Sequence, residues 1–395
     1  MGTTLVITND FPPRQGGIET FVHAMATRVP DDDVVVYTSS EPGHREFDAT
    51  LPFPVIRDRS RTLLPTRRVG RRAVEIMRAF GCDRVWFGAA APLAAMAPTL
   101  RRAGARRIVA TTHGHEIWWA YTPGARQVLR RIGNGVDIAT YLGDYTRDRI
   151  APALGPRARL SRLVPGVDVQ AFRPDADAAP DLEAARRLRE RLAIRDRRVV
   201  LCVSRLVARK GQDVLIRALP LVQRVVPDAV LVLVGKGPGE RGLRALARRY
   251  ADGSVVFAGG VSHADTADYY ALADVFAMPC RTRKAGLEAE GLGIVFLEAQ
   301  ASGLPVIAGD SGGAPDTVLD GETGRVVDGR DVEAVAKAIA LTLLSPDRAD
   351  MGAAGRRWVE KEWTWDASAH HLTALLTPTP ESLPGPDESG AGRPT

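Results

Sequence analysis

Cysteine is scarce: three in 395 residues, at Cys82, Cys202 and Cys280. They are odd in number, scattered, and set in or beside apolar runs. That argues for buried free thiols and against a disulfide framework or a cysteine-based zinc site. No run of about 18 apolar residues occurs, which excludes a membrane-spanning helix. No basic-then-apolar leader precedes the apolar stretch at residues 3–8, so a secretory signal is not expected. These absences place the chain in the cytoplasm. The turn after residues 3–8 lacks the G-x-G-x-x-G dinucleotide fingerprint, and no G-x-x-x-x-G-K-[ST] P-loop occurs. No Cys–His arrangement marks a hydrolase nucleophile.

What is present is ordinary in proportion. Hydrophobic residues make up 45% and charged residues 25%, as in soluble globular proteins. The length exceeds one ordinary core, so two domains are expected. The net charge is +6, and nearly all the cations are arginine. The excess is local: Arg57, Arg59, Arg61, Arg67, Arg68, Arg71, Arg72 and Arg78 face only Asp58 and Glu75. Val69, Ala73, Ile76, Met77 and Phe80 recur at helical spacing between them. A basic amphipathic helix suits an anionic membrane surface, at about 1 kcal/mol per cation. The plain alternative is a solvated helix in an arginine-rich chain. No recognised nucleic-acid-binding motif accompanies the charge, so nucleic acid is not an expected partner.

Apolar β runs alternate with helical patterns almost throughout. Strands are expected at residues 3–8, 34–38, 84–88, 107–111 and 137–142, with a helix near 18–28. Their continuous Val/Ile-rich character suits strands buried on both faces of a parallel, doubly wound sheet. Residues 175–197 are rich in Ala, Asp and Arg without a strand pattern, as in a linker plus a surface helix. The alternation restarts with strands at 199–203, 229–234, 255–258, 275–278 and 306–308. The fold class is therefore α/β, with two Rossmann-like domains at 1–167 and 168–357, a helix at 358–376 and a disordered tail at 377–395. Ligands bind such sheets beyond the C-terminal strand ends, here in a central cleft between facing domains.

Candidate site residues lie at those ends. Gly16 and Gly17 follow the first strand and start a helix, which favours an anion; a plain turn is the alternative. Asp10 stands in the same turn. His113 follows the 107–111 strand, with His115 and Glu116 beside it; a lone H-x-H is weak support for a metal, and a hydrogen-bonded loop histidine competes. Trp118 and Trp119 suit a sugar- or lipid-facing surface, or a cover for the core. Arg205 and Lys210 bracket the loop after 199–203 and can clamp a pyrophosphate. The backbone around Gly259 could meet the edge of a base. Glu290 and Glu298 enclose Gly291, Leu292, Gly293 and Ile294, a glycine turn entering a helix. Amides there attract phosphate, while the flanking carboxylates accept hydroxyl hydrogen bonds. A nucleotide sugar has that layout.

Glu290 and Glu298, Arg205 with Lys210, and Gly16-Gly17 together resemble the retaining glycosyltransferases of family 4, which have the GT-B fold. The likeness runs to about residue 376. Residues 8–14 and 112–116 are closer still to the actinobacterial phosphatidylinositol mannosyltransferases, which move mannose from GDP-mannose to a phosphatidylinositol mannoside at the inner membrane face. The resemblance implies that Glu298 binds ribose and Glu290 the transferred hexose. Arg205 and Lys210 would hold the diphosphate, with the amides of 291–294 on sugar and phosphates. Gly16 and Gly17 would approach the diphosphate, and His113 would sit by the donor sugar. It also implies that Arg67, Arg68, Arg71 and Arg72 lie in the acceptor-binding half, against an anionic membrane, and that the last helix returns to the first domain. No cofactor or metal is expected, because no Asp-x-Asp pair stands at a plausible strand end. The expected activity is hexosyl transfer by a peripheral membrane enzyme. A transferase acting on a soluble acceptor and a GT-B epimerase or phosphorylase remain alternatives.

Overall fold

A computed structural model describes residues 2–30, 33–173, 182–286 and 288–378. The expected tail lies outside them from residue 379 onward. The chain divides into two units: residues up to Leu142, 146–164 and from Ser368 on, and then Gly143–Tyr145 with Pro165–Ala367.

The first unit holds seven parallel strands: β1 (Thr3–Thr8), β2 (Val34–Thr38), β3 (Val55–Arg57), β4 (Cys82–Phe87), β5 (Arg107–Thr111), β6 (Ile138–Tyr141) and β7 (Arg159–Arg162). Their order is β3-β2-β1-β4-β5-β6-β7. Leu5 pairs with Val35 on one side and Val85 on the other, so β1 is central. The central strands are apolar because helices cover both faces. β3 and β7 are short edge strands, only partly buried, and lack the apolar run that announces a strand.

The second unit repeats the plan. β8 (Arg198–Val203), β9 (Ala229–Val234), β10 (Val255–Gly259), β11 (Val275–Met278), β12 (Val306–Gly309) and β13 (Gly324–Val327) run in the order β10-β9-β8-β11-β12-β13. Each sheet therefore reverses its winding once, between β1 and β4 and between β8 and β11. Doubly wound sheets bind ligands outside the carboxyl ends at such points.

Two expectations change. Residues 358–376 are not one helix: Arg348–Glu362 ends, and Trp365–Leu376 begins after a break. Trp363 is fully buried at the break, and its carbonyl accepts the Val167 amide at 2.7 Å. Thr364 then accepts the Ala367 amide through its hydroxyl and starts the new helix. The last helix packs on the first unit, where Arg107 Nε donates to the Leu375 carbonyl at 2.7 Å.

The basic run is also less free than its composition suggests. Arg57 donates to both Asp48 oxygens and to the Ser39 and Pro12 carbonyls. Arg68 forks onto Asp58 with two bonds of 2.9 Å, and Arg72 pairs with Glu75. Asp58 also accepts the buried Tyr37 hydroxyl, and Arg68 holds its carboxyl far below the usual range. Of the Arg67–Ala79 helix, Arg67, Arg71 and Arg78 stay exposed without an ion pair among the described residues. Arg68 serves the fold of the first unit rather than an open basic surface.

Candidate active site

In the second unit the loop after β8 turns through Gly211, at φ +78°, where a Cβ would collide with the Pro279 carbonyl just past β11. Only glycine lets this loop lie across the winding reversal. Gln212 fixes the loop from below, its amide donating to Ser204 Oγ at 2.8 Å and to the Arg205 carbonyl at 3.0 Å. Lys210 is thereby buried and Arg205 left exposed, without a side-chain partner among the described residues.

Lys210 faces Glu290. Its Nζ lies 2.7 Å from Oε2, an ion pair that lacks the alignment of a hydrogen bond. Arg209 Nε lies 3.9 Å from the same oxygen and has no hydrogen-bond partner among the described residues. Glu290 itself is held by its backbone: its amide donates to Ser311 Oγ at 3.2 Å, and its carbonyl accepts the Gly313 amide at 3.0 Å. Gly312, at φ +63°, admits this packing, since a Cβ there would strike the Glu290 carbonyl. Residues 309–313 spell Gly-x-Ser-x-Gly, the spacing of a hydrolase elbow. Ser311 is fully buried and bonded to Thr282 and the Glu290 amide, so it supports the acidic turn and is not a nucleophile.

Past Glu290, the amides of residues 291–295 have no protein acceptor among the described residues, up to Phe296, which donates to Gly293. They open the Ile294–Ala301 helix with Gly293 at φ +90°. Several unsatisfied donors at a helix start make an anion cradle. Glu298 sits inside that helix, 4% exposed, and accepts the buried Tyr270 hydroxyl on Oε2 at 2.8 Å. Among the described residues its other oxygen meets only His263 Nδ1, at 3.8 Å, which leaves it an acceptor for a ligand hydroxyl. Burial raises the Glu298 carboxyl above its usual range and the Tyr270 bond opposes that rise. Tyr270 was not legible as a site residue, because it stands in a different helix, 28 positions from Glu298. The Gly259 carbonyl accepts the Gly235 amide at 2.7 Å and keeps its second lone pair.

In the first unit His113 Nε2 lies 2.7 Å from the Gly88 carbonyl, directly after β4 at the winding reversal. A carbonyl only accepts, so Nε2 carries the proton and Nδ1 is left as an acceptor. Burial lowers the imidazole to about 4 and keeps it neutral. Glu116, fully buried, accepts the His113 amide and lies 3.4 Å from His115. Among the described residues no group of three His, Cys, Asp or Glu could hold a metal. Gly16 and Gly17 are exposed, and the amides of residues 16–19 have no protein acceptor among the described residues. Arg14 holds the buried Glu19 beside them at 3.0 Å. Asp10 has its carboxyl raised by burial and by Glu19. Trp119 packs partly on the core and Trp118 is half exposed.

These features align with two known families: Glyco_transf_4, Glycosyltransferase Family 4, over residues 15–171, and Glycosyl transferases group 1 over 185–358. The chain is 49% identical over 379 residues to the GDP-mannose-dependent alpha-(1-6)-phosphatidylinositol monomannoside mannosyltransferase of Mycolicibacterium smegmatis, spanning 94% of this chain and 98% of that protein. The chain belongs to glycosyltransferase family 4. As a family 4 glycosyltransferase it is also 46% identical, over 95% of its length and 98% of the relative, to the Corynebacterium glutamicum enzyme that acts on the monoacylated monomannoside. Among solved structures, Anabaena HepE in complex with UDP superposes with a TM-score of 0.75 at 19% identity, covering 95% of this chain and 99% of that one. Sucrose-phosphate synthase of Thermosynechococcus elongatus gives 0.70 at 23%, covering 94% and 98%. At those identities the likeness establishes the GT-B fold alone.

Proposed function

We propose that this enzyme transfers mannose, with retention, from GDP-mannose to a phosphatidylinositol mannoside at the inner face of the membrane. The observation that carries the donor half is the row of unpaired amides at 291–295 between Glu290 and Glu298, with Lys210 alongside. Phosphate suits the amides, and each carboxylate suits hydroxyls. Support for mannose and for the lipid comes from the substrates named for the relatives at 46–49% identity.

In this reading Lys210 and Arg205 take the diphosphate, Glu290 the mannose and the free Oε1 of Glu298 the ribose. His113, Gly16 and Gly17 are the first unit's contributions to the reaction. The bond between the anomeric carbon and phosphate breaks, and the acceptor oxygen bonds to the same face of that carbon. The acceptor's proton passes to the leaving phosphate, so no protein nucleophile is required. Charge growing on the leaving group is met by fixed cations and amides, the kind of donor whose loss costs about 3–4 kcal/mol of barrier. Arg205 and Lys210 supply that charge without a divalent ion.

The test is purified enzyme with GDP-mannose and phosphatidylinositol monomannoside in EDTA. The expected products are GDP and a dimannoside with the α configuration. Activity that needs manganese, prefers a UDP-sugar, or yields a free epimer sinks the proposal.

A further inference from the structure

Two buried polar atoms of the second unit face each other without a hydrogen bond. Arg209 Nε lies 3.9 Å from Glu290 Oε2, beyond bonding distance, and neither atom has a hydrogen-bond partner among the described residues. Among those residues the only other cation within ion-pair distance of this carboxylate is Lys210, at 2.7 Å. The placing of Arg209 is built in. It lies in the short Ala208–Lys210 turn, and its carbonyl accepts the Arg281 amide at 2.8 Å. Arg281 is in turn forked onto Asp213, at 2.9 and 3.0 Å. Glu288, another carboxylate that feels the Arg209 charge, already pairs with Lys284 at 2.5 Å and Arg283 at 3.3 Å. A donor and an acceptor are therefore held close together in a buried place, both unmatched, which is unfavourable.

In the reaction proposed above Lys210 has two anions to serve. It pairs with Glu290, and a diphosphate would compete for the same ammonium. Each anion then receives a smaller share of one charge. Glu290 is only 7% exposed, so water cannot make up the difference. Arg209 has to close by about 1 Å to turn its approach into a bond of ordinary length. We propose that Arg209 is a positioning residue for the transfer, closing on Glu290 as the diphosphate draws on Lys210 and supplying the charge that Lys210 gives up. It offsets that share alone, so outright loss of Lys210 would still strand the carboxylate. The inference rests on the donor clamp of the proposed function.

GDP carries the diphosphate without the sugar and serves as the probe. Calorimetric titration of the full chain compares wild type with Arg209→Met, Glu290→Gln and the double variant. Arg209→Met should bind GDP about tenfold more weakly, the low end for one bond to a charged group. With Glu290→Gln already present, the same change should cost less than about twofold, because no carboxylate is left for Arg209 to serve. An equal loss in both backgrounds would make Arg209 a direct ligand of the diphosphate and overturn the proposal, as would no loss in either. Arg209→Lys keeps a cation and should stay within about threefold of wild type. A loss as deep as that of Arg209→Met overturns the proposal without recourse to any change at Glu290. In urea without GDP, Arg209→Met should unfold close to the wild-type midpoint, and a clear fall there would make Arg209 structural and overturn the proposal. Wild type that binds UDP and not GDP would strike the proposed donor and leave the same cycle to be decided on UDP. Wild type that binds neither overturns both readings.

Discussion

Glu290 is a buried carboxylate whose nearest cation is Lys210, itself buried. Removing one member of such a pair strands the other, which costs about 3–5 kcal/mol, whereas removing both is far milder. Lys210→Met should therefore destabilise strongly, and Lys210→Met with Glu290→Gln should recover most of the loss while transferring no mannose. Urea denaturation checks this; a single variant as stable as wild type would mean the pair is not formed. In the proposed function Tyr270 acts through Glu298, whose Oε2 it bonds, and is a positioning residue. Tyr270→Phe removes a bond to a charged group, worth about 1.5–3 kcal/mol, so the donor KM should rise about tenfold with kcat nearly unchanged. Because burial already raises the Glu298 carboxyl, loss of the Tyr270 hydroxyl raises it further. In the proposed function it is the ionised form that accepts the ribose hydroxyl, so the climb in donor KM on acidification should begin at a higher pH than in wild type. His263 is the other titratable group facing this carboxylate. An unshifted pH profile, or a fall in kcat alone, argues against the role.

At the scale of elements, the central strands were legible, and of the four edge strands only β10 was. β9 is six apolar residues in a row, buried throughout, and its sequence can hardly be anything else. β3, β7 and β13 carry shorter or more polar runs because one side of each pairs with no neighbouring strand. The acidic turn was legible as a unit, since glycine and carboxylate spacing is local. What holds it was hidden: Ser311, Gly312 and Tyr270 come from other segments and meet Glu290 or Glu298 only in the fold. The same holds for Arg68, whose bond to Asp58 crosses ten positions and turns a surface cation inward. Local charge counting cannot foresee which arginine finds a buried carboxylate. The single helix expected over 358–376 failed for a related reason. Trp363 and Thr364 have no helix-breaking character of their own, and the break comes from their partners Val167 and Ala367.

For the whole molecule, His113 ties global stability to pH. In the folded chain it gains a proton only near 4, against 6.5 when unfolded. Between those values the unfolded state holds the extra proton, so stability falls as pH drops from about 6.5 to 4, by at most about 1.4 kcal/mol per pH unit. Glu116 and Glu298 have raised carboxyls and act in the opposite sense, gaining stability as pH falls through their folded values. The His113 part is isolated by comparison: wild type should lose stability relative to His113→Gln as pH falls from 6.5 to 4.5. Parallel urea midpoints for the two proteins across that range would refute a neutral, buried His113. A second property of the whole concerns time. The Trp365–Leu376 helix is synthesised after nearly all of the second unit, yet Leu372 and Leu376 are buried and the Leu375 carbonyl holds Arg107 in β5 of the first unit. The half of the protein that leaves the ribosome first therefore cannot close its surface until the other half has been made. Order of synthesis and order of completion run in opposite directions, and the second unit can be finished while the first still waits for that helix.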